Sequence, residues 1–325
     1  MYSALDPYAA ALLARAKEAA YPPFEPLTPA QCRKAYAASW DIMQSPGGEV
    51  ASLRDIQIEA ETLLTLRVYR GAQTQDNEDL PCMVFLHGGG WVIGNLESHD
   101  RMCRQLANTA GICVVAVDYR LAPEHPYPAA LQDAAAAVQW VVANANTLHI
   151  DPHAVGVGGD SAGGNLAAVL ALMSRDGDLP KLCFQALLYP VTDLTCQFPS
   201  YERVRSDLPL TSSTMRYFIE HYIPSGIDKT DWRVSPLHAS TLAGVAPALV
   251  LTVAHDPLCD EGIAYAHRLD QAGVRVAALH YNDQMHGLLS QGRFIPMANT
   301  VTHQVFSLVG HALHQSLKIH SQETT

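Results

Sequence analysis

Gly158-Gly159-Asp160-Ser161-Ala162-Gly163-Gly164 is the stretch that decides how this chain folds. An apolar run, Ala154–Val157, leads into it, and a helical stretch, Ala162–Met173, begins inside it. A strand that passes into a helix through G-x-S-x-G reads as a nucleophile elbow. The small residues Gly159 and Gly163 let the chain turn so sharply that Ser161 is held, strained, above the sheet. The helix N-terminus beneath it favours developing negative charge. The plainer reading is a tight strand-to-helix turn; the strand before and the helix after favour the elbow.

Working outward, the same alternation fills most of the chain. Continuous apolar runs stand at Cys82–Leu86, Ile112–Val117, Phe184–Leu188, Ala248–Val253 and Val274–Leu279. Helical stretches lie between them at Ser98–Ala110, Ala129–Asn144 and Asp260–Ala272, with a last helix over Met297–Leu317. Uninterrupted apolar strands alternating with helices predict a parallel sheet covered on both faces. Before them, Asp55–Glu59 and Leu64–Tyr69 alternate with period two, as an antiparallel edge hairpin with one wet face does. The fold class is therefore α/β, with a mostly parallel eight-stranded sheet. Two parts fall outside the alternation. Asp6-Pro7 and Thr28-Pro29-x-Gln31 mark two N-terminal helix starts, separated by Tyr21-Pro22-Pro23. An insert between Tyr189 and Ala248 has no strand pattern and one amphipathic helix near Thr211–Ile223. Together, residues of about 1–45 and 191–233 would cap a single domain spanning 1–325.

A second glycine cluster, His87-Gly88-Gly89-Gly90-Trp91, follows the strand Cys82–Leu86. Backbone N–H groups left uncovered by side chains suit an oxyanion hole. A phosphate cradle fails on detail, because no Walker lysine follows and no G-x-G-x-x-G spacing with a ribose-binding acid is present. His87 reads as a structural residue holding the loop. A serine nucleophile needs a base, and the base needs a carboxylate to orient it. Where an elbow is present these follow in the order Ser, Asp, His, each after a later strand. Asp256 follows Ala248–Val253, and His286 follows Val274–Leu279. Asp260 and Glu261 are weaker candidates, since carboxylates in a first helical turn commonly complement the macrodipole. His255 precedes Asp256 in the turn and His280 lies inside a strand. His311 and His314 lack a third ligand, and no metal is expected there.

HGGGWVIGN, DYRLAPEHPYPAALQD, GGDSAGGNLA, DPLCDEG and the final HG resemble the bacterial hormone-sensitive-lipase-like esterases of the α/β-hydrolase superfamily. Asp160 places the chain in the GDSAG subfamily. The likeness spans essentially the whole chain, including the helical N-terminus and insert that form the cap in that family. Two departures are visible: Cys259 stands where Arg is usual, and Leu288 where an aromatic is common. The resemblance implies acyl transfer by Ser161, with His286 as base and Asp256 as its orienting partner. It implies an oxyanion hole at Gly88, Gly89, Gly90 and Ala162, in which Gly89, Gly90 and Ala162 donate and Gly88 supports the loop. No cofactor or metal is required. Trp91, Tyr189, Leu210, Met215, Phe218 and Leu288 are candidates to line the pocket, although the Met215/Phe218 face more simply packs the cap helix on the body. The expected substrates are small neutral esters with short-to-medium acyl chains, and a homodimer is common in the family. An amide or peptide hydrolase with the same triad is the alternative. A ligand-binding protein on a dead hydrolase fold is disfavoured by the intact Ser, Asp and His.

Composition excludes other classes. Of 325 residues, 48% are apolar and 16% charged, which rules out disorder. A net charge of −11 argues against nucleic acid and against docking on an anionic bilayer. No segment reads as transmembrane, and MYSALDPYAAALLARAKEAA lacks a basic n-region, so a cytoplasmic location is expected. Seven scattered cysteines without a C-x-x-C pair suit reduced thiols, with Cys82, Cys113 and Cys183 as small core residues.

Overall fold

The computed structural model describes residues 3–19, 23–75 and 77–323. Helix α1 (Pro7–Glu18) begins where Asp6 accepts from the Tyr8 and Ala9 N–H groups. Helix α2 (Pro29–Met43) begins with a capping box between Thr28 and Gln31. Both starts follow from a capping side chain ahead of a proline, whose missing N–H costs nothing at a first helical position. Tyr21 and Pro22 of the expected separator lie outside the described residues. There follow β1 (Ser52–Glu59), β2 (Leu63–Arg70), β3 (Leu80–Leu86), α3 (Leu96–Ala110), β4 (Cys113–Val117), α4 (Ala129–Ala143), the single turn α5 (Ala145–Leu148) and β5 (Ile150–Asp160). Then come α6 (Ala162–Asp176), β6 (Gln185–Leu188), α7 (Pro199–Arg203), α8 (Ser212–Tyr222), β7 (Ala248–His255), α9 (Cys259–Gln271), β8 (Val276–Met285) and α10 (Pro296–Glu323).

Among the described residues the strands form one eight-stranded sheet in the order β1-β2-β4-β3-β5-β6-β7-β8. The β1–β2 and β2–β4 pairs are antiparallel, and every other pair is parallel. The continuous apolar runs have a direct cause in β3. Leu80, Cys82, Val84 and Leu86 face one core with α4, α6 and α9, while Met83 and Phe85 face the other with α3 and α10. Both faces are dry, so the period of two is hidden in the sequence. β1 is largely exposed, as a wet edge hairpin should be. The seven cysteines are unbridged thiols; Cys82 and Cys113 sit side by side, buried, on β3 and β4, and Cys183 is half-buried.

Two boundaries differ from the sequence reading. β8 runs to Met285, well past the end of the apolar run at Leu279, because an edge strand needs only one apolar face; pairing with β7 continues through His280 and Tyr281 and, after a register shift that spans Asn282-Asp283-Gln284, resumes at Met285. The insert holds a second, shorter helix, α7, which begins at Pro199 without a side-chain cap and is too brief to show an apolar period. The N-terminal segment and the insert touch directly. The Phe24 and Phe218 rings are 5.9 Å apart, Tyr217 Oη–H donates to the Leu27 carbonyl at 2.8 Å, and Thr214 Oγ1–H donates to Glu25 at 2.9 Å. Arg33 on α2 ties this layer to the body through the Val92 and Ala122 carbonyls and an ion pair with Glu124. No helix among the described residues is long and apolar enough to cross a membrane.

Glu261 stands in the first turn of α9, as the sequence places it, but it is fully buried, and its Oε1 accepts from the Thr192 and Asp193 N–H groups at 2.7 and 3.2 Å. It therefore anchors the chain where the insert leaves β6. Burial pushes its carboxyl well above the usual range. A carboxyl raised in this way contributes stability that is full below its unfolded value, about pH 4.3, and is lost as pH rises toward the folded value. Glu261→Ala leaves two buried donors unpaired and should cost about 3 kcal/mol. Glu261→Gln keeps the acceptor without the charge, so thermal melts should show it gaining on wild type as pH rises from about 5 to about 8. A Gln variant as unstable as the Ala variant would count against this account.

Candidate active site

Ser161 stands between the last residue of β5 and the first of α6, with φ 55° and ψ −116°. This is a strained conformation for a residue with a Cβ, and the surroundings enforce it. A Cβ on Gly163 would collide with the Leu86 and His87 carbonyls of the neighbouring strand end, so glycine alone permits the close approach. The Ser161 N–H donates to the Leu188 carbonyl at 2.8 Å, and its carbonyl accepts from Asn165 and Val191. The elbow is thereby clamped between β3, β5 and β6.

Asp256 and His286 each follow the C-terminal end of a strand, β7 and β8. Parallel strands bring these ends to the same edge of the sheet as Ser161. His286 Nε2 lies 3.0 Å from Ser161 Oγ, and Nδ1 lies 2.7 Å from Asp256 Oδ2. Asp256 is 2% exposed, and its second oxygen accepts from the Leu258 N–H at 2.9 Å. With Nδ1–H donated to a carboxylate, the lone pair on Nε2 faces the serine hydroxyl. A hydroxyl, an imidazole and a buried carboxylate in series can move a proton off Ser161.

The loop after β3 completes the arrangement. Gly89 adopts φ 119° and Gly90 φ 57°, and Gly89 also turns the chain through its carbonyl, which accepts from Val92 and Ile93. Neither the Gly89 nor the Gly90 N–H donates to a backbone carbonyl among the described residues. The Ala162 N–H is at the first position of α6, where no helical carbonyl reaches it. Gly88 differs: its N–H donates to Asp160 Oδ1 at 2.8 Å, which removes it from any set of free donors. Gly88 thereby ties the loop to the elbow. His87 donates from Nδ1 to the Gly88 carbonyl at 2.8 Å and stacks on Tyr119 with centroids 4.2 Å apart. Burial pushes its pKa down to about 3, with the charge on His99 adding, so the ring stays neutral.

The pocket candidates divide. Tyr189 lies edge-on to His286 with centroids 4.9 Å apart, and the Phe218 ring lies directly over Gly90, so both crowd the reacting centre. Trp91 does not read as a pocket wall. It is fully buried and stacked on Tyr222 at 4.3 Å, because its positive φ of 59° swings it under α8. Leu210 and Met215 are buried in the core that contains α8, and Leu288 in the opposite one. None of the six lines a cavity of about 470 Å³ that opens between α2 and the Asp118–His125 segment, where Arg33, Tyr36, Trp40, Asn95 and Tyr119 are among the walls. His314 Nε2 meets the Ala110 and Gly111 carbonyls.

Sequence reasoning missed the surroundings of Asp160. Its carboxylate meets His99 Nε2 at 3.2 Å as well as the Gly88 N–H. Asp160 was visible inside the motif, but no local pattern connects it with a histidine on another helix.

The model of the α/β hydrolase fold family matches residues 83–290, which hold the elbow, the glycine loop and both elbow partners. The chain is 40% identical over 266 residues to Carboxylesterase NlhH of Mycobacterium tuberculosis, covering 80% of this chain and 82% of that one. It is 37% identical over 282 residues to ethyl acetate hydrolase of Pseudomonas putida, covering 85% and 88%. Among solved structures, a thermostable esterase from Pseudomonas putida superposes with a TM-score of 0.91 at 32% identity, covering 96% of this chain and 99% of that one. An α/β hydrolase from the metagenome of Lake Arreo, Spain, gives 0.90 at 38% identity, covering 94% and 98%. The chain therefore belongs to the α/β-hydrolase family and, within it, to the hormone-sensitive-lipase-like carboxylesterases.

Proposed function

We propose that this chain is a serine carboxylesterase acting through an acyl-enzyme on Ser161, a reading carried by the Asp256–His286–Ser161 series at 2.7 and 3.0 Å. His286 Nε2 takes the hydroxyl proton as Oγ attacks the ester carbonyl carbon, and the carbonyl π electrons move onto oxygen. Asp256 holds the tautomer and stabilises the imidazolium. The Gly89, Gly90 and Ala162 N–H groups receive the oxyanion, a role supported by the lack of a backbone acceptor for Gly89 and Gly90 among the described residues and by the end of α6 beneath. Collapse expels the alcohol, protonated by His286. Water, deprotonated by the same ring, then attacks the acyl carbon and frees the acid and Ser161.

The crowding by Phe218 and Tyr189 supports short-to-medium acyl chains, as does a relative named for hydrolysing ethyl acetate. The Phe24–Phe218 and Thr214–Glu25 contacts support a cap made jointly by about 1–45 and 191–233 over a single domain. A cytoplasmic homodimer belongs to the same proposal; β8, at one edge of the sheet, is a surface suited to it. A serine-directed organophosphate should label Ser161 stoichiometrically and abolish p-nitrophenyl butyrate hydrolysis. Across p-nitrophenyl esters, kcat/KM should peak within about C2–C8 and fall by at least tenfold beyond it. Labelling at another residue, or a profile still rising at long chains, would sink the corresponding part.

A further inference from the structure

The base of the glycine loop carries a buried contact between a histidine and a carboxylate. His99, on α3, is 3% exposed. Its Nδ1 lies 2.9 Å from Ser98 Oγ, and its Nε2 lies 3.2 Å from Asp160 Oδ1. The Ser98 hydroxyl has a single hydrogen, which goes to the Asn95 carbonyl at 2.8 Å, while the Asn95 N–H donates into the same oxygen at 2.9 Å. What remains on Oγ is a lone pair, so His99 Nδ1 donates to it. Asp160 Oδ1 also accepts, from the Gly88 N–H and from His99 Nε2. A ring donating from both nitrogens is an imidazolium.

The surroundings agree with that charge. Burial would raise the Asp160 carboxyl, but the charge and hydrogen bond of His99, joined by the Gly88 N–H, hold it below its ordinary value. The neighbours facing the pair are neutral. His87, at the end of β3, has its ring centroid 5.5 Å from that of His99 and is kept uncharged by burial. The Cys103 thiol on α3, and the phenols of Tyr36 on α2, Tyr119 after β4 and Tyr189 after β6, are all pushed up by burial, with Asp160 adding. The Phe85 ring closes the remaining side.

Asp160 immediately precedes Ser161, and its carboxylate grips the loop that bears Gly89 and Gly90. We propose that His99 is a positioning residue: as an imidazolium it holds the Asp160 carboxylate against the Gly88 N–H and so registers the Gly89 and Gly90 donors on Ser161. This rests on the esterase reading above. A buried carboxylate left without a countercharge takes up a proton or turns toward water, and the loop loses its tie to the elbow.

The test has two arms. Nitrogen-15 spectra of histidine-labelled wild type at pH 7.5 should show His99 protonated at both ring nitrogens; a neutral tautomer there overturns the proposal. His99→Gln should lower kcat for p-nitrophenyl butyrate roughly 10- to 100-fold, less than the loss of an oxyanion donor outright, with KM within about threefold. The affinity of a trifluoromethyl ketone, which forms an oxyanion on the serine, should fall in parallel. Unchanged kcat, or a loss without any change in ketone affinity, overturns it. The spectra decide the matter even where His99→Gln does not fold. If Ser161→Ala is inactive while His99→Gln is fully active, this proposal alone fails; if Ser161→Ala stays active, the esterase reading fails with it.

Discussion

Ser161→Ala is expected to lower kcat for p-nitrophenyl butyrate by about 10⁶-fold, the scale on which a serine hydrolase loses its nucleophile. The substitution removes one atom, Oγ, which lies 3.0 Å from His286 Nε2. The Cβ stays, so the backbone at φ 55° is held by the same hydrogen bonds with Leu188, Asn165 and Val191 as before. Folding is therefore unaffected: the melting temperature should match wild type within a few degrees, and KM or inhibitor affinity should stay within about threefold. Residual turnover reflects the free N–H donors and the bound geometry alone. Steady-state kinetics paired with calorimetry measures both numbers. A folded variant retaining more than about one part in a thousand of wild-type kcat contradicts the acyl-enzyme mechanism.

Asp256→Asn should cost about 10⁴ in kcat, the effect of presenting the base in the wrong tautomer. The direction of the new amide is dictated by its neighbours. The Leu258 N–H, 2.9 Å from Asp256 Oδ1, selects the amide oxygen for that position. The amide nitrogen is left facing His286 Nδ1, where the carboxylate oxygen stood at 2.7 Å. Nδ1 then has to accept, the ring proton moves to Nε2, and Nε2–H points at the serine oxygen instead of taking its proton. Organophosphate labelling of Ser161 should slow together with turnover, while the melting temperature changes little, because the shape and every hydrogen bond but one polarity are preserved. A loss below about tenfold in kcat means that His286 does not depend on Asp256 for its tautomer.

The parts of this site that were legible in the sequence share one property. Ser161, with Gly159 and Gly163, is specified within five consecutive residues, because the elbow is a local conformation. His87–Gly90 is legible for the same reason. Asp256 and His286 are far from Ser161 in the chain, but each follows a strand end, and parallel topology carries all such ends to one edge. A local signal plus a topological rule was enough. The rule did not extend to what each side chain touches. Gly88 supports the loop, but nothing in the motif names Asp160 as the acceptor of its N–H. Trp91 is next to the oxyanion loop, yet it packs on Tyr222. Glu261 has the pattern of a macrodipole carboxylate, yet it is buried against the start of the insert.

By itself the sequence determined the fold and the chemistry. Continuous apolar runs require a sheet dry on both faces, and a strained serine between a strand and a helix requires a base from a later strand end. Only the tertiary structure decided which hydrogen bonds tune that chemistry. Partners such as His99 and Asp160, or Glu261 and Thr192, meet across separate elements through single donors and acceptors. Such pairings leave no periodicity in the chain, since one buried polar contact is satisfied by distance and angle and by nothing that repeats along the backbone.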